Sequence, residues 1–313
     1  MNLKPSVSVV IVAWNGRAIL ERCLEYLFAQ VSPPSFEVII VDNGSADGAP
    51  EMVETRFPQC RLIRSGANLG FAGGNNLGFT QTRGHYVLLL NPDVYLTDPD
   101  TLLRLSAYLD ENPRLAGVGC RLTYADGRHQ VGDAGYRPTP WTLIMHGLGA
   151  SRIMPGVRGL FLTRLAQTKA MEVDWVSGAL FLVRRAVIDA VHGLDTSFFL
   201  YAEDVEWGCR MRRAGWELAY LPDLSAIHLQ GGTQGDSAAL GATPSLRWID
   251  ALAHLYSREN ANGFWAFRLG LGVGLGLRAI VFALLGLLYA SWRPRARAMA
   301  SFSRHILTMP APR

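Results

Sequence analysis

Residues 7–48, VSVVIVAWNGRAILERCLEYLFAQVSPPSFEVIIVDNGSADG, decide the fold class. Val7–Ala13 is a short apolar run rich in β-branched residues and reads as a buried strand. Residues 17–30 carry apolar positions at helical spacing, and 36–41 (FEVIIV) form a second apolar run that closes on Asp42. Strand, helix and strand in this order make a βαβ unit. Downstream, 50–57 predict a helix, Arg61–Arg64 a short strand, 73–83 a helix, and 85–90 (HYVLLL) another buried strand that ends at Asn91, Pro92 and Asp93. The chain is therefore α/β, and each strand ends in a polar, loop-forming cluster. Ligands of open α/β sheets bind outside the carboxyl ends of the strands, so Asp42, Asn68 and Asp93 become candidates for one site. There is no GxGxxG after the first strand and no GxxxxGK[ST], which removes the usual dinucleotide and P-loop readings.

With 49% hydrophobic and 18% charged residues, the chain is not a disordered segment, a collagen-like repeat or a disulfide scaffold. Its 313 residues suit one large domain with an appendage, or two modest ones. Cys23, Cys60, Cys120 and Cys209 lie far apart without a CxxC pair, so neither a zinc knuckle nor a dithiol site is suggested, and a reducing compartment is expected. The opening MNLKPSVSVVIVAW has one Lys and no small-residue cleavage site, and it is not read as a secretory signal.

Charge is distributed unevenly. Residues 1–246 hold 21 basic and 24 acidic side chains, whereas 247–313 hold nine Arg against Asp250 and Glu259. Such a basic tail points to a nucleic acid or an anionic membrane surface. Residues 269–290, LGLGVGLGLRAIVFALLGLLYA, contain one charge, Arg278, with Phe264, Trp265, Phe267, Tyr289 and Trp292 about their ends. An apolar run with aromatic ends favours lipid, because a nucleic-acid arm would interleave basic and aromatic residues. As a helix the run would reach about 33 Å, enough for a bilayer, but Arg278 would sit mid-membrane at about 2.5–3.5 kcal/mol. If the first part of the chain works in the cytosol, one crossing would also put Arg293, Arg295, Arg297 and Arg304 outside. An in-plane or re-entrant helix avoids both problems, with Arg268 and Arg278 about 80° apart and sharing a polar edge. A buried core helix or a dimer interface is the plain alternative.

Three clusters carry candidate chemistry. In VDNGSADG a carboxylate at a strand end, Asp42, can accept the N3–H of uracil or thymine, while Asn43, Ser45 and Asp47 can close a turn around the ring. The same residues also describe an Asx-rich turn before a helix. Asp93, beside a Pro that stiffens its loop, suits a hard cation bridging two phosphates, and alone is a turn acid. In FFLYAEDVEWGCRMRRAGW the neighbouring acids Glu203 and Asp204 follow an apolar run, where one carboxyl can be lifted toward the operating pH as a general base, or where acids merely begin a helix. His228, after an apolar, strand-like stretch over 217–221 and before Gly231 and Gly232, is either a structural histidine or a partner of Asp93 in a metal site.

In order and spacing, VSVVIVAWN, VDNGSADG, NLGFAGGNNLGF, LLLNPDV, VDWVSGALFLVRR, FFLYAEDVEWGCR and IHLQGGT resemble the family 2 nucleotide-sugar glycosyltransferases of the GT-A fold, most closely their rhamnosyltransferase-type members, over about residues 6–235. The resemblance implies a mixed, mostly parallel sheet flanked by helices in a catalytic domain over 1–240. Residues 241–313 are then a helical, Arg-rich, membrane-associating extension. It assigns Asp42 with Asn43 to the pyrimidine, and Asn68, Gly70 and Asn75 to the nucleotide and diphosphate. Asp93 becomes the metal-binding acid of a DxD-like motif in which Asn91 replaces the first Asp, with His228 as a further metal or diphosphate contact. Trp175, Ser177 and Gly178 are assigned to the acceptor or transferred sugar, and Asp204, beside Glu203, to catalysis as the base.

The implied reaction is an inverting, Mg2+- or Mn2+-dependent transfer without a protein nucleophile. The expected donor is dTDP-rhamnose and the expected acceptor a polyprenyl-linked saccharide of the bacterial cell envelope, met at the cytoplasmic face of the inner membrane by a peripheral or monotopic enzyme. A UDP-sugar donor, galactose or N-acetylglucosamine, remains the alternative, since uracil and thymine present the same N3–H. From other classes, a nucleotidyltransferase would normally show a Gly- and Lys/Arg-rich loop after the first strand, which AWNGR does not. A decayed, membrane-bound binding module would not keep Asp42, Asp93, Asp204 and His228 together. Pro244 stands where the processive synthases of the wider family have the Gln of QxxRW, so one sugar per acceptor is expected. Nothing in the sequence indicates nucleic acid as a partner.

Overall fold

The structure is a computed structural model that describes residues 5–154, 156–163, 169–198, 201–229, 246–259 and 263–311. Gly231, Gly232, Pro244 and the expected boundary at 240/241 lie outside these residues. In chain order the elements are β1 (Val7–Ala13), α1 (Arg17–Phe28), β2 (Phe36–Asp42), α2 (Ala49–Arg56), β3 (Arg61–Arg64), α3 (Gly70–Phe79), β4 (Tyr86–Leu90), β5 (Val94–Tyr95), α4 (Thr101–Glu111), β6 (Leu115–Thr123), β7 (Ala134–Gly135), α5 (Pro140–Leu148) and α6 (Ala150–Ile153). There follow β8 (Met171–Val173), β9 (Trp175–Val176), β10 (Leu180–Arg184), α7 (Arg185–Val191), α8 (Glu203–Arg213), β11 (Glu217–His228), α9 (Arg247–Glu259), α10 (Gly263–Phe267), a π-helical turn (Arg268–Val273), α11 (Gly274–Leu288) and α12 (Arg293–Thr308).

The chain forms two compact units, one of residues 1–134, 166–199 and 203–240, the other of 135–165, 200–202 and 241–313. In the first, the sheet runs β3-β2-β1-β4-β10-β6-β11-β5, with β8 against β11. β3, β2, β1 and β4 are mutually parallel, as are β6 and β11, while β10, β5 and β8 run against their neighbours. Strands buried on both faces read as continuous apolar runs, as Val9, Val10, Ile11 and Ile39, Ile40, Val41 do here. The register decides where function can gather. Ala13 stands beside Asp42, and Val10 beside Leu89, so the carboxyl ends of β1, β2 and β4 share one edge. β10 is reversed, with Leu180 beside Leu90, so its preceding loop, Ser177 to Ala179, arrives at that same edge.

Two boundaries differ from the periodicity for identifiable reasons. The helix expected over 73–83 begins at Gly70, because Asn68 Oδ1 accepts the Gly70 amide at 2.9 Å and fixes its first turn. The strand expected over 217–221 continues to His228 through a register shift between Leu221 and Ser225, where Pro222 has no amide to give to the ladder. Glycine serves close approach in α3: a Cβ at Gly74 would stand 2.6 Å from Val12 Cγ1, and one at Gly78 2.4 Å from Val10 Cγ1. The glycines let this helix lie directly on β1.

The second unit joins α5 and α6 to α9–α12, so residues 135–165 group with the C-terminal helices. The physical reason lies in LGLGVGLGL. A Cβ on Gly147 of α5 would meet the Gly270 carbonyl at 3.0 Å, and one on Gly274 would meet Gly147 at 2.9 Å. Gly272 and Gly276 turn the other way, toward Ile306 and Ser303 of α12. The alternating glycines therefore serve two helix contacts. Gly263–Leu288 is long and apolar enough to cross a membrane, and a third of its most apolar window is buried in the protein. The expected polar edge shared by Arg268 and Arg278 does not form. Arg268 donates to the Ile306 and Met309 carbonyls at the end of α12, and Arg278 to the His146 carbonyl near the end of α5. Helix carboxyl ends attract guanidinium groups, and both arginines turn inward to reach them.

Candidate active site

The loop after β2 is built from its own polar side chains. Asp42 is buried, and its Oδ1 accepts the Ser45 amide at 3.1 Å. Its Oδ2 has no hydrogen-bond partner among the described residues and is the oxygen available to a ring N–H. Ser45 and Asp47 face the loop after β1: Ser45 Oγ accepts the Asn15 amide at 2.8 Å and Asp47 Oδ2 the Arg17 amide at 2.7 Å. They tie the two loops together. Asn43 is buried and donates to the Gly70 carbonyl at 3.0 Å, which links this loop to the start of α3. Asn75 is buried inside α3, its amide on the Phe71 carbonyl at 2.9 Å. Asn68 and Asn75 thus shape α3, and Gly70, in a left-handed conformation at φ 71, makes the turn into it.

Contacts run from there to the acids. Gly178 lies against Phe71, where a Cβ would stand 2.6 Å from the ring. The Gly178 amide donates to Asp204 Oδ2 at 3.2 Å, and the Asn91 amide to the Ala179 carbonyl at 2.9 Å. Ser177 is anchored by its amide on the Asp133 carbonyl at 2.8 Å. Trp175 is buried, with its Cα and Cβ against Gly208 of α8. Asp93 and His228 meet, with Asp93 Oδ1 3.4 Å from His228 Nε2 and the Leu229 amide on the Asp93 carbonyl at 3.0 Å.

α8 holds the acid pair. Trp207, fully buried, stacks on Phe79 at 5.9 Å, meets Phe181 edge-on at 5.8 Å, and donates from its indole to the His192 carbonyl at 2.9 Å. Arg210 adds bonds to the Val191 and Gly193 carbonyls and to Glu206, and Arg212 pairs with Glu172 and Asp174. These arginines are structural. Immediately before the helix, Tyr201 and Ala202 both take the left-handed backbone, at φ 72 and 68, which costs non-glycine residues about 1–2 kcal/mol each. Burial, and then the Asp204 charge, push the Glu203 carboxyl well above its ordinary range, and Glu203 Oε2 has no hydrogen-bond partner among the described residues. Burial also raises Asp204, against the lowering effect of the Gly178 and Val205 amides. A carboxylate held by two amides yet made more basic by burial is suited to take a proton.

Segment 129–134, which no motif marked, positions the other half. Gln130 Oε1 lies 2.5 Å from His228 Nδ1, leaving Nε2 directed at Asp93. Asp133 is buried and gathers His129, the Tyr220 hydroxyl and the Leu122 amide. Such outer partners fix a histidine tautomer for metal binding. Among the described residues no third His, Cys, Asp or Glu joins Asp93 and His228. Two protein donors fit a hard cation that draws its remaining oxygens from a diphosphate and water, and do not fit an all-protein cage.

A model of glycosyl transferase family 2 matches residues 8–189. The chain is 31% identical over 278 residues, 82% of its length and 85% of the other's, to the N-acetylglucosaminyl-diphospho-decaprenol L-rhamnosyltransferase of Mycobacterium tuberculosis. It is 25% identical over 229 residues, 71% of its length and 83% of the other's, to rhamnosyltransferase WbbL of Escherichia coli. Its structure resembles that of a mannosyltransferase from Pyrobaculum calidifontis in complex with GDP-Man and Mn2+, with a TM-score of 0.61 over 98% of this chain and 86% of that one. At 16% identity that likeness concerns the fold.

Proposed function

The chain belongs to glycosyl transferase family 2, and from that membership we propose that it moves L-rhamnose from dTDP-rhamnose to a lipid-linked saccharide in bacterial cell-envelope synthesis. The fold is GT-A, and the activity is glycosyl transfer. The sugar and the lipid-linked acceptor are those in the name of the mycobacterial relative. The observation that carries the catalytic reading is the run of contacts from Asn43 through Gly70, Phe71 and Gly178 to Asp204, with Asn91 on Ala179 beside it. These residues are the pieces a donor and an attacking hydroxyl need on one sheet edge.

Asp42 Oδ2 accepts the pyrimidine N3–H, and Asn43 and Gly70 hold the loop that receives the nucleoside. Asp204 takes the proton from the acceptor hydroxyl as it attacks the anomeric carbon in line with the departing nucleoside diphosphate, so configuration inverts. Ser177 and Gly178 line the approach of the acceptor. Asp93 and His228 are the residues that would hold Mg2+ or Mn2+, and the ion would offset charge on the leaving diphosphate. Membrane attachment is peripheral or monotopic, at the cytoplasmic face of the inner membrane. The exposed outer side of α11, including Leu284, Leu287 and Leu288, supports this.

A thermal-shift titration with dTDP, UDP, GDP and NAD, each with and without Mn2+, tests the reading. Stabilisation by dTDP that grows with Mn2+, and a metal increment abolished in Asp93→Ala, is the expected result. A larger response to UDP would reassign the donor, and no response to any pyrimidine diphosphate would overturn the nucleotide-sugar site.

A further inference from the structure

The second unit gathers three arginines over a polar floor. Arg278 of α11 lies across the turn at Gly149 between α5 and α6. A Cβ added at Gly149 would stand 2.9 Å from Arg278 Cδ, and Arg278 Nη1 donates to the His146 carbonyl at 3.1 Å. Arg152 of α6 is near enough that, after desolvation, its charge depresses the Arg278 guanidinium, and Arg295 of α12 does the same to Arg152. Both Arg152 and Arg295 keep exposed surface, so the group opens to solvent. Among the described residues, no carboxylate pairs with any of the three.

Beneath them lie His146, 7% exposed, and Ser151, 4% exposed. His146 Nδ1, Ser151 Oγ and Arg278 Nε are all buried without a hydrogen-bond partner, three of the six such side-chain atoms among the described residues. A buried polar atom left unpaired is destabilising, and adjacent like charges add to that cost. Burial first, and then Arg278 and Arg152, push the His146 pKa down to about 3, so its imidazole is neutral and can donate one N–H. The same region presents exposed apolar residues: Trp141, Leu148 and Ile153 from α5 and α6, and Leu277, Val281 and Leu284 from α11. Cations, unpaired polar atoms and lipid-compatible surface thus occur together in one unit.

We propose that Arg152, Arg278 and Arg295, with His146 and Ser151 beneath, form a site for the diphosphate of a prenyl-anchored ligand, whose hydrocarbon lies along the exposed apolar residues of α5, α6 and α11. The ligand is the lipid-linked acceptor, and in this the inference rests on the acceptor class proposed above. Charge separates it from a bilayer phospholipid. Three guanidinium groups match the two or more negative charges of a diphosphate ester better than the single charge of a phosphodiester, and Arg binds phosphate oxygens in paired hydrogen bonds.

Calorimetric titration of the full chain in detergent tests the site, with farnesyl diphosphate as the probe and inorganic pyrophosphate and phosphatidylglycerol vesicles as the other arms. Farnesyl diphosphate is expected to bind at least tenfold more tightly than pyrophosphate. Arg152→Gln and Arg295→Gln, both at exposed positions, are expected to weaken it at least tenfold with thermal midpoints kept, and Arg278→Lys to retain more binding than Arg278→Gln. Unchanged farnesyl diphosphate affinity in the Gln variants overturns the proposal, as does equal affinity for pyrophosphate. A loss confined to phosphatidylglycerol vesicles overturns it too, and assigns the arginines to the bilayer. The dTDP response of the same samples is read separately. Its failure with farnesyl diphosphate binding intact would count against the donor reading alone.

Discussion

Asp204 and Glu203 are neighbours in sequence with opposite surroundings. Asp204 accepts two amides, whereas Glu203 Oε2 accepts nothing from the described residues, and only the first arrangement gives a carboxylate a fixed direction. Asp204→Asn should therefore lower turnover about 10²–10⁴-fold while leaving the dTDP-induced thermal shift intact. Near-normal turnover in that variant would make Glu203 the base. Glu203 also carries a stability signature. Its folded carboxyl titrates above its unfolded value, so the native state favours the protonated form, and wild-type stability falls as pH rises out of the usual carboxylate range toward the raised folded value. Glu203→Gln cannot ionise. Urea denaturation should find the two proteins alike near about pH 5 and the variant more stable by about 1–3 kcal/mol near about pH 8, at roughly 1.4 kcal/mol per pKa unit. A difference that does not widen with pH would show that the Glu203 carboxyl is not strained by burial. Asp42, Asp93 and His228 were visible in the sequence because each follows an apolar run. Gln130 and Asp133 were not, because their 129–134 segment has no period and its importance arises only where it touches His228 and Tyr220.

Helix α3 shows how an element can carry its reason in what it lacks. GFAGGNNLGF has poor helix propensity, yet its glycines remove the atoms that would otherwise collide with Val12 and Val10. Gly78→Ala should cost about 1–3 kcal/mol by overpacking although Ala is the better helix former, as chemical denaturation can measure. An unchanged midpoint would mean that β1 yields at no cost. Periodicity gave α1, β2 and β4 to within a few residues because apolar runs mark them directly. It lost the continuation of β11 past Pro222 and the earlier start of α3, since both depend on hydrogen bonds rather than on hydropathy. The apolar tail was read as one helix for lipid, whereas half of its glycine pattern faces α5 and the other half α12. Hydropathy reports that a surface is apolar and cannot say what covers it.

Across the chain, the fold class was readable because apolar strands alternate with stretches of helical spacing, and charge and apolar content change abruptly after residue 246. The grouping of 135–165 with the tail was not, because it depends on a glycine contact more than a hundred residues away in sequence. That grouping bears on any test of membrane attachment. Removing 247–313 would strip Gly147 of its partner along with the exposed apolar residues, so point changes are the better probe. Replacing Leu284, Leu287 and Leu288 together by Gln should lower cosedimentation with anionic vesicles at least 100-fold, at about 1.5–3 kcal/mol for each leucine withdrawn from an apolar phase, with the thermal midpoint kept. Undiminished cosedimentation would place the membrane contact elsewhere. The sheet order also has a consequence in time. β11 lies between β6 and β5, and it carries His228, the partner of Asp93. A nascent chain that has emerged only as far as β10 presents β6 with an open edge and β5 with no neighbour. At about 5–20 residues per second, the ribosome leaves that edge bare for seconds, so the growing chain should need chaperone cover until its twelve-residue closing strand is made.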